Sequence, residues 1–386
     1  MNYNRPVKND STVTVKAACA VVFAVFTFLW LYFFQADVLF YGQHVLSGGV
    51  TTYNRTVGAV LITLLLWLLQ LGVYCLTSLS KKAYALTFFP SMLLLAMMTS
   101  IRVGEEYLLS SYWCWLVPLL LALWLAVVWI ARKVQNYEPK AAGGFFSRRM
   151  WVNMLTMALQ VIMVTAMGNT HAVSHYRLHA ETALLTNDFD EALRVGSRSL
   201  ETDSSLTMLR MYALSRQGQL PERLFNYPVV SSSSSMLPTV DRSQLLFYPA
   251  DSIYRHLGAI PRRPMLPRDY LSTIIRYGQA KPAAVDYLLC GYLIDKDIDA
   301  FAREIGRYYT VNDSLPRHYR EALVLYTHQR SNPVVVFHSP VLDVDYEDFR
   351  KLEEAYPLES ERRGQLMEHY GNSYWFYYEY VTPMQP

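Results

Sequence analysis

The chain has 386 residues, 52% of them hydrophobic and 17% charged, with a formal net charge of +3 at neutral pH. That charge is the sum of two unlike parts: residues 1 to 170 carry 12 Lys and Arg against 5 Asp and Glu (+7), and residues 171 to 386 carry 23 against 27 (−4). A mildly acidic second part excludes an electrostatic nucleic-acid binder, and the basic surplus of the first part is what membrane orientation and anionic inner-leaflet lipid require.

Five apolar runs stand in the first part: Val15 to Phe34, Val57 to Leu79, Ala83 to Ile101, Tyr112 to Ala131 and Met150 to Gly168. Each is about long enough to cross a ~30 Å hydrocarbon core as a helix. The first is too long for a signal-peptide core and lacks a small-residue cleavage site after it, so it reads as a retained helix. Basic residues collect in alternate gaps. Arg5, Lys8, Lys16, Lys81, Lys82, Arg132, Lys133, Lys140, Arg148 and Arg149 fall on one side, whereas only Arg55 and Arg102 fall on the other. This bias places the amino terminus in the cytoplasm, and five spans then place residues 171–386 outside it. Of the four cysteines, Cys19, Cys75 and Cys114 lie in apolar runs and Cys290 alone lies beyond them, so no disulfide forms within the second part. A cysteine-poor external domain suits a bacterial periplasm.

The second part reads as helical hairpins. Tyr176 to Leu185, a turn at Asn187-Asp188 and Phe189 to Leu200 form one. Leu206 to Ser215, a break at Gln217-Gly218-Gln219 and a restart near Pro221 form the next. The phrase Asn187-Asp188-Phe189-Asp190-Glu191-Ala192-Leu193 resembles the centre of a tetratricopeptide repeat, although the turn recurs at Gly218, off that family's period. Further helices are expected at Ala283 to Ile294, Ile298 to Tyr308, Arg317 to Gln329, Tyr346 to Tyr356 and Glu359 to Tyr370. Between them, Tyr227 to Pro267 is rich in serine and proline and predicts an irregular loop with one short helix near Asp251 to Leu257, stopped by Gly258. Tyr374-Trp375-Phe376-Tyr377-Tyr378-Glu379-Tyr380 either docks its rings on the last hairpin or forms a belt at the membrane surface.

The phrases Val285 to Leu293, Pro316 to Tyr326 and Tyr370 to Tyr378 resemble an uncharacterised family of multi-span membrane proteins with a helical tail, found in Bacteroides-type organisms. The resemblance covers roughly residues 170 to 386 and implies a Gram-negative inner-membrane location; it brings no activity and no catalytic residues.

Two constellations could carry chemistry. His171, His175 and His179 follow the last run at i, i+4 and i+8. Adjacent members could chelate one metal as half a zinc site, while the outer two lie about 12 Å apart along a helix. The plain alternative is a polar stripe where a helix leaves the lipid. Asp37, with Glu105 and Glu106, offers carboxylates in the external loops, as in membrane glycosyltransferases that keep an acid in the first external loop. The plain alternative is solvated loop residues. Phosphate-binding, dinucleotide, nucleophile-elbow and paired-cysteine motifs are missing, and no cofactor is implied. Ionisable residues are almost missing from the spans, which argues against a transporter, and Gln70 and Gln160 read as interhelical hydrogen-bond donors.

The sequence therefore predicts an all-α protein: a polytopic five-span bundle over residues 1–170, then an extracytoplasmic, repeat-like helical domain over residues 171–386. The expected role is a scaffold that binds a protein or envelope polymer, with the bilayer as its other partner. The domain's 20 arginines against 3 lysines favour bidentate pairing with carboxylates, internal or on a partner. A glycosyltransferase using a lipid-linked donor, with Asp37 in its site, is the alternative.

Overall fold

The structure, a computed structural model, describes residues 10–79, 83–105, 107–135, 148–230, 232–239 and 243–381. All regular structure among them is helical. The chain divides into two compact units, Met1–His171 and Ala172–Pro386.

In the first unit, α1 (Asp10–Leu29) runs into a π-helical turn (Trp30–Phe34) and, after Gln35, into α2 (Ala36–Leu46). Helix α3 (Arg55–Thr77) starts at Asn54, whose side-chain oxygen accepts from the amides of Thr56 and Val57 at 3.1 and 3.0 Å. Then come α4 (Phe89–Thr99), α5 (Trp113–Gln135) and α6 (Arg148–Met167). Four of the five apolar runs thus form helices long and apolar enough to cross a membrane. The third differs. It spans Tyr84–Thr99, opening as a 3-10 turn (Tyr84–Phe88) before α4, because Pro90 lacks an N–H and starts a fresh helix there. At about 26 Å it is shorter than the ~30 Å core.

This short element is the centre of the bundle, packed on α3 and α6. Its 3-10 turn leaves backbone groups without helical partners, which in an apolar interior must be met by side chains. Asn153 accepts from the Ala85 amide at 2.9 Å, and Gln160 donates to the Ala85 carbonyl at 3.0 Å. Gln70 donates to Thr87 Oγ1 at 2.9 Å and Ser91 to the Leu66 carbonyl at 2.8 Å. The polar residues of the spans therefore act as interhelical bonds. Leu61, Leu64, Leu65 and Leu68 on α3, and Leu119, Leu123 and Trp129 on α5, are exposed on the outside of this unit.

The second unit begins with α7 (Ala172–Leu185), α8 (Phe189–Arg194), α9 (Ser204–Arg216) and the single turn α10 (Leu220–Arg223). An irregular stretch follows, containing α11 (Ala250–Leu257), where the short loop helix was expected; Gly258 ends it at φ +150°. Then come α12 (Pro267–Arg276), α13 (Pro282–Ile294), α14 (Ile298–Ile305), α15 (Arg317–Gln329), α16 (Pro340–Ala355), α17 (Glu359–Tyr370) and α18 (Tyr374–Tyr380).

One turn recurs. At Asn187, Gly218, Gly278 and Lys296 the chain enters the left-handed region (φ +56°, +67°, +66° and +59°), and the next amide reaches back five residues to the preceding helix. Those bonds are Asp188 to Ala183, Gln219 to Leu214, Gln279 to Ile274 and Asp297 to Tyr292, at 2.8–2.9 Å. This is the Schellman pattern, and Asp188 and Asp297 then cap the following helices by accepting from the Glu191 and Ala300 amides. The second helices of the hairpins are shorter than the sequence suggests. The expected Phe189 to Leu200 ends at Arg194, because Val195 is extended and Gly196 takes φ +59°. The expected Ile298 to Tyr308 ends at Ile305, and α16 starts earlier than expected, at Pro340.

The aromatic terminus docks on its own unit. Tyr374, Trp375, Phe376 and Tyr377 are buried, and α18 packs on α15 and α17. The Tyr374 and Tyr377 hydroxyls donate to the last carbonyls of α13, those of Leu293 and Ile294, at 3.3 and 2.8 Å. These rings each contribute about 1.5–3 kcal/mol by burial and also satisfy groups a helix end leaves open.

Candidate functional site

The acids and histidines singled out in the sequence do not form one site. Asp37 lies half-buried in the first turn of α2, where a negative charge suits the helix dipole. Glu105 pairs with Arg102 at 2.5 Å in the loop after α4, while Glu106 lies outside the described residues. His171 closes the first unit, its amide bonded to Asn169 Oδ1 at 3.1 Å. His175 and His179 stand on α7 of the second unit, and His179 Nε2 is 3.3 Å from Glu191 Oε1. Among the described residues no three of His, Cys, Asp and Glu are grouped so as to hold a metal ion.

Two troughs mark the loop end of the first unit. One, of about 690 Å³, is apolar and includes Leu39, Leu46, Ile62, Met98 and Tyr53. The other, of about 900 Å³, is lined by Arg102, Glu105, Ser110, Ser111 and Trp113 among others, and both are bordered by Met97, Tyr107 and Leu109. Glu105 lines the second trough and Asp37 lines neither.

The second unit holds four carboxylate clusters, those of Glu181 and Glu321 buried and those of Asp286 and Asp295 half-buried, which periodicity does not reveal. Glu181, on α7, is fully buried and accepts from the amides of Leu246, Phe247 and Tyr248 at 3.0 Å. Burial raises its carboxyl above the ordinary value, against the pull of those amides and of Arg177. Glu321, on α15, accepts from Arg317 Nε at 2.7 Å, from His318 Nδ1 at 2.9 Å and from the Tyr374 amide at 2.7 Å. His318 Nε2 accepts the Phe225 amide at 3.3 Å, so the ring carries its hydrogen on Nδ1. Burial alone would raise the Glu321 carboxyl, but His318, Arg317 and the Tyr374 amide bring it below the ordinary value. Asp295 accepts from the Ser233 amide, from the Ser233 hydroxyl and from Arg268 at 2.8, 2.5 and 2.8 Å. Asp286 accepts from Tyr309 and Tyr319 at 2.6 and 3.0 Å, and burial raises its carboxyl. All four join elements distant in sequence.

Glu181 and Asp295 pin the irregular stretch, and the pinned stretch walls a cleft of about 890 Å³ lined by Pro238, Tyr254, Pro261, Arg262, Arg263 and Leu266 among others. Both arginines are exposed, and no described carboxylate pairs with either. Tyr254 is fixed by a bond from its hydroxyl to the Pro238 carbonyl at 3.0 Å.

Beside the cleft, on α11, His256 bonds Ser215 Oγ at 2.9 Å. Burial, Arg216 and Lys281 hold its pKa down at about 4 against an ordinary 6.5. Between those values the unfolded chain binds a proton that the native state refuses, so stability falls as pH drops from 6.5 to 4. The shift corresponds to about 3 kcal/mol at most, and solvent screening of this half-buried ring leaves about 1–2 kcal/mol. Denaturant midpoints across this window should slope for the parent and flatten for His256→Gln.

A family described as a family of unknown function (DUF6057) matches residues 266–381. That range coincides with α12 to α18 and contains the three phrases whose resemblance was noted, so this part is an uncharacterised domain. No curated protein matches the chain, and no solved structure matches it.

Proposed function

We propose that the protein is a membrane-anchored scaffold. Its apolar helices, with the short Tyr84–Thr99 element packed between α3 and α6 counted as the fifth crossing, hold it in a bacterial inner membrane with the amino terminus in the cytoplasm, and its tetratricopeptide-like helical unit binds a protein or envelope polymer in the periplasm. The observation that carries this reading is the contrast within the helical unit. Its buried and half-buried carboxylates bond internal partners, whereas Arg262 and Arg263 stand exposed on a cleft also lined by Pro238, Tyr254, Pro261 and Leu266. Exposed guanidinium forks beside proline and tyrosine suit an extended acidic partner.

A cysteine at Leu266, exposed on the cleft rim, tests both halves of the proposal. The exposed Cys75 and Cys114 are replaced by serine, and the buried Cys19 and Cys290 are left in place. A membrane-impermeant thiol reagent carrying a photocrosslinker should label Leu266→Cys in cells with an opened outer membrane and a sealed inner membrane. Irradiation should then capture one reproducible macromolecule, and Arg262→Glu with Arg263→Glu should lower capture about tenfold or more. Labelling only after inner-membrane lysis overturns the orientation. Labelling without capture overturns the scaffold.

A further inference from the structure

We propose that the two adjoining troughs of the first unit form one binding site for a single phospholipid whose zwitterionic headgroup ends in a primary ammonium, as in phosphatidylethanolamine. The proposal rests on the membrane reading of these helices and goes beyond it by assigning a site and a lipid class.

The troughs adjoin along Met97, Tyr107 and Leu109, and together they offer an apolar end and a polar end. Ile62, in the apolar end, stands seven residues into α3 from Arg55, about 10 Å along the helix axis, so this end follows the span inward from its terminus. An acyl chain entering beside the span meets Leu39, Leu46 and Met98 there. The polar end lies on the loop after α4 and at the start of α5, at the boundary where headgroups sit and where tryptophan is favoured.

Two observations independent of shape point to a ligand. The Trp113 side chain is 4% exposed and lines the polar end, yet its indole N–H has no acceptor. The Tyr53 hydroxyl, lining the apolar end, is likewise buried without a partner. Each such group costs about 1–3 kcal/mol when left unpaired, and the ester carbonyl and phosphate oxygens of a glycerophospholipid are acceptors for such donors.

The charges select the headgroup. Arg102 and Glu105 face each other at 2.5 Å with both side chains 46% exposed, and Arg102 also donates to Ser110 Oγ at 3.2 Å. The mouth therefore presents both signs. A lipid phosphate accepts from the guanidinium and from Ser110 and Ser111, while its ammonium donates to the Glu105 carboxylate. A net-anionic lipid leaves Glu105 facing a like charge, and a quaternary choline has no hydrogen to donate.

The full chain in detergent micelles tests this, using phosphatidylethanolamine, phosphatidylcholine and phosphatidylglycerol with identical acyl chains. Native mass spectrometry and melting temperature are the readouts. One phosphatidylethanolamine should be retained and should raise Tm, with apparent affinity about tenfold above the other two classes, as for one charge-assisted hydrogen bond. Glu105→Gln should erase the preference over phosphatidylcholine while lipid retention persists. Trp113→Phe should weaken all three classes, and Leu109→Trp should block retention, with lipid-free melting checking that each variant is folded. Equal retention of the three classes by the parent, or a preference unchanged in Glu105→Gln, overturns the proposal while leaving the membrane reading standing. A chain that stays in the aqueous phase on detergent partitioning overturns both.

Discussion

Replacing Glu321 by alanine should lower the stability of the helical unit by about 3–5 kcal/mol, the cost of breaking a buried charged cluster from one side. Three donors lose their acceptor at once. Arg317 can turn to solvent, but His318 Nδ1 and the Tyr374 amide are enclosed and cannot. Because the Tyr374 amide opens α18, the loss should spread along the terminal helix, whose Trp375 indole bonds the Glu321 carbonyl at 2.8 Å. Hydrogen exchange measured by mass spectrometry on the full chain in detergent should show residues 374–380 exchanging about a hundredfold faster. Glu321→Gln keeps the shape but directs an NH₂ at one of the donors, so it should recover only part of the loss. The depressed carboxyl also sets a pH dependence. Its contribution is present above the unfolded value of about 4.5 and is lost as pH falls through the lower folded value. Unchanged exchange in α18 would show that the aromatic helix holds without this carboxylate.

The same cluster shows what the sequence does and does not disclose. Helices are local, so the Schellman turn at Asn187, its Asp188 cap and the stop at Gly258 are readable from a few neighbouring residues. The apolar runs are readable for the same reason, and so is the role of Gln70 and Gln160, since an amide in an apolar span has few other uses. The break in the third run is signalled only by Pro90. Whether that run crosses a bilayer depends on burial by α3 and α6, which a linear hydropathy pattern does not contain. The carboxylate clusters are harder still. Glu181 and Leu246 are 65 residues apart, and His318 meets Phe225 across 93. Nothing in the spacing distinguishes Glu181 from the solvated Glu191. Arginine enrichment was a signal of carboxylate pairing, and Arg268 with Asp295 and Arg317 with Glu321 are such pairs inside the fold. The fork pattern does not say which arginines remain outside it, and Arg262 and Arg263 are found only once the irregular stretch has been placed.

Glu181→Ala should release that stretch. Three consecutive amides, those of Leu246, Phe247 and the buried Tyr248, converge on one carboxylate, so its removal leaves three donors, one of them enclosed, facing a void. Two neighbouring bonds hold the segment as well: the Tyr212 and Tyr248 hydroxyls meet at 3.0 Å, and the Gln244 amide donates to Ser205 Oγ at 3.1 Å. These do not replace an acceptor for the three amides, so a local loss of about 3 kcal/mol is expected, equivalent to roughly a hundredfold rise in the open population. Limited proteolysis in the regime where reclosing outpaces cleavage reads that population directly. Cutting within residues 244–248 should accelerate about a hundredfold, while cutting elsewhere in the unit changes little. Glu181→Gln offers one acceptor oxygen and turns an NH₂ toward the remaining amides, so it should restore less than half of the protection. Because the stretch walls the cleft that carries Arg262 and Arg263, capture from Leu266→Cys should fall in Glu181→Ala even though no cleft residue has changed. Equal cleavage rates for parent and variant would mean that the tyrosine pair and Ser205 suffice to hold the loop, and that the buried carboxylate does not organise the binding surface.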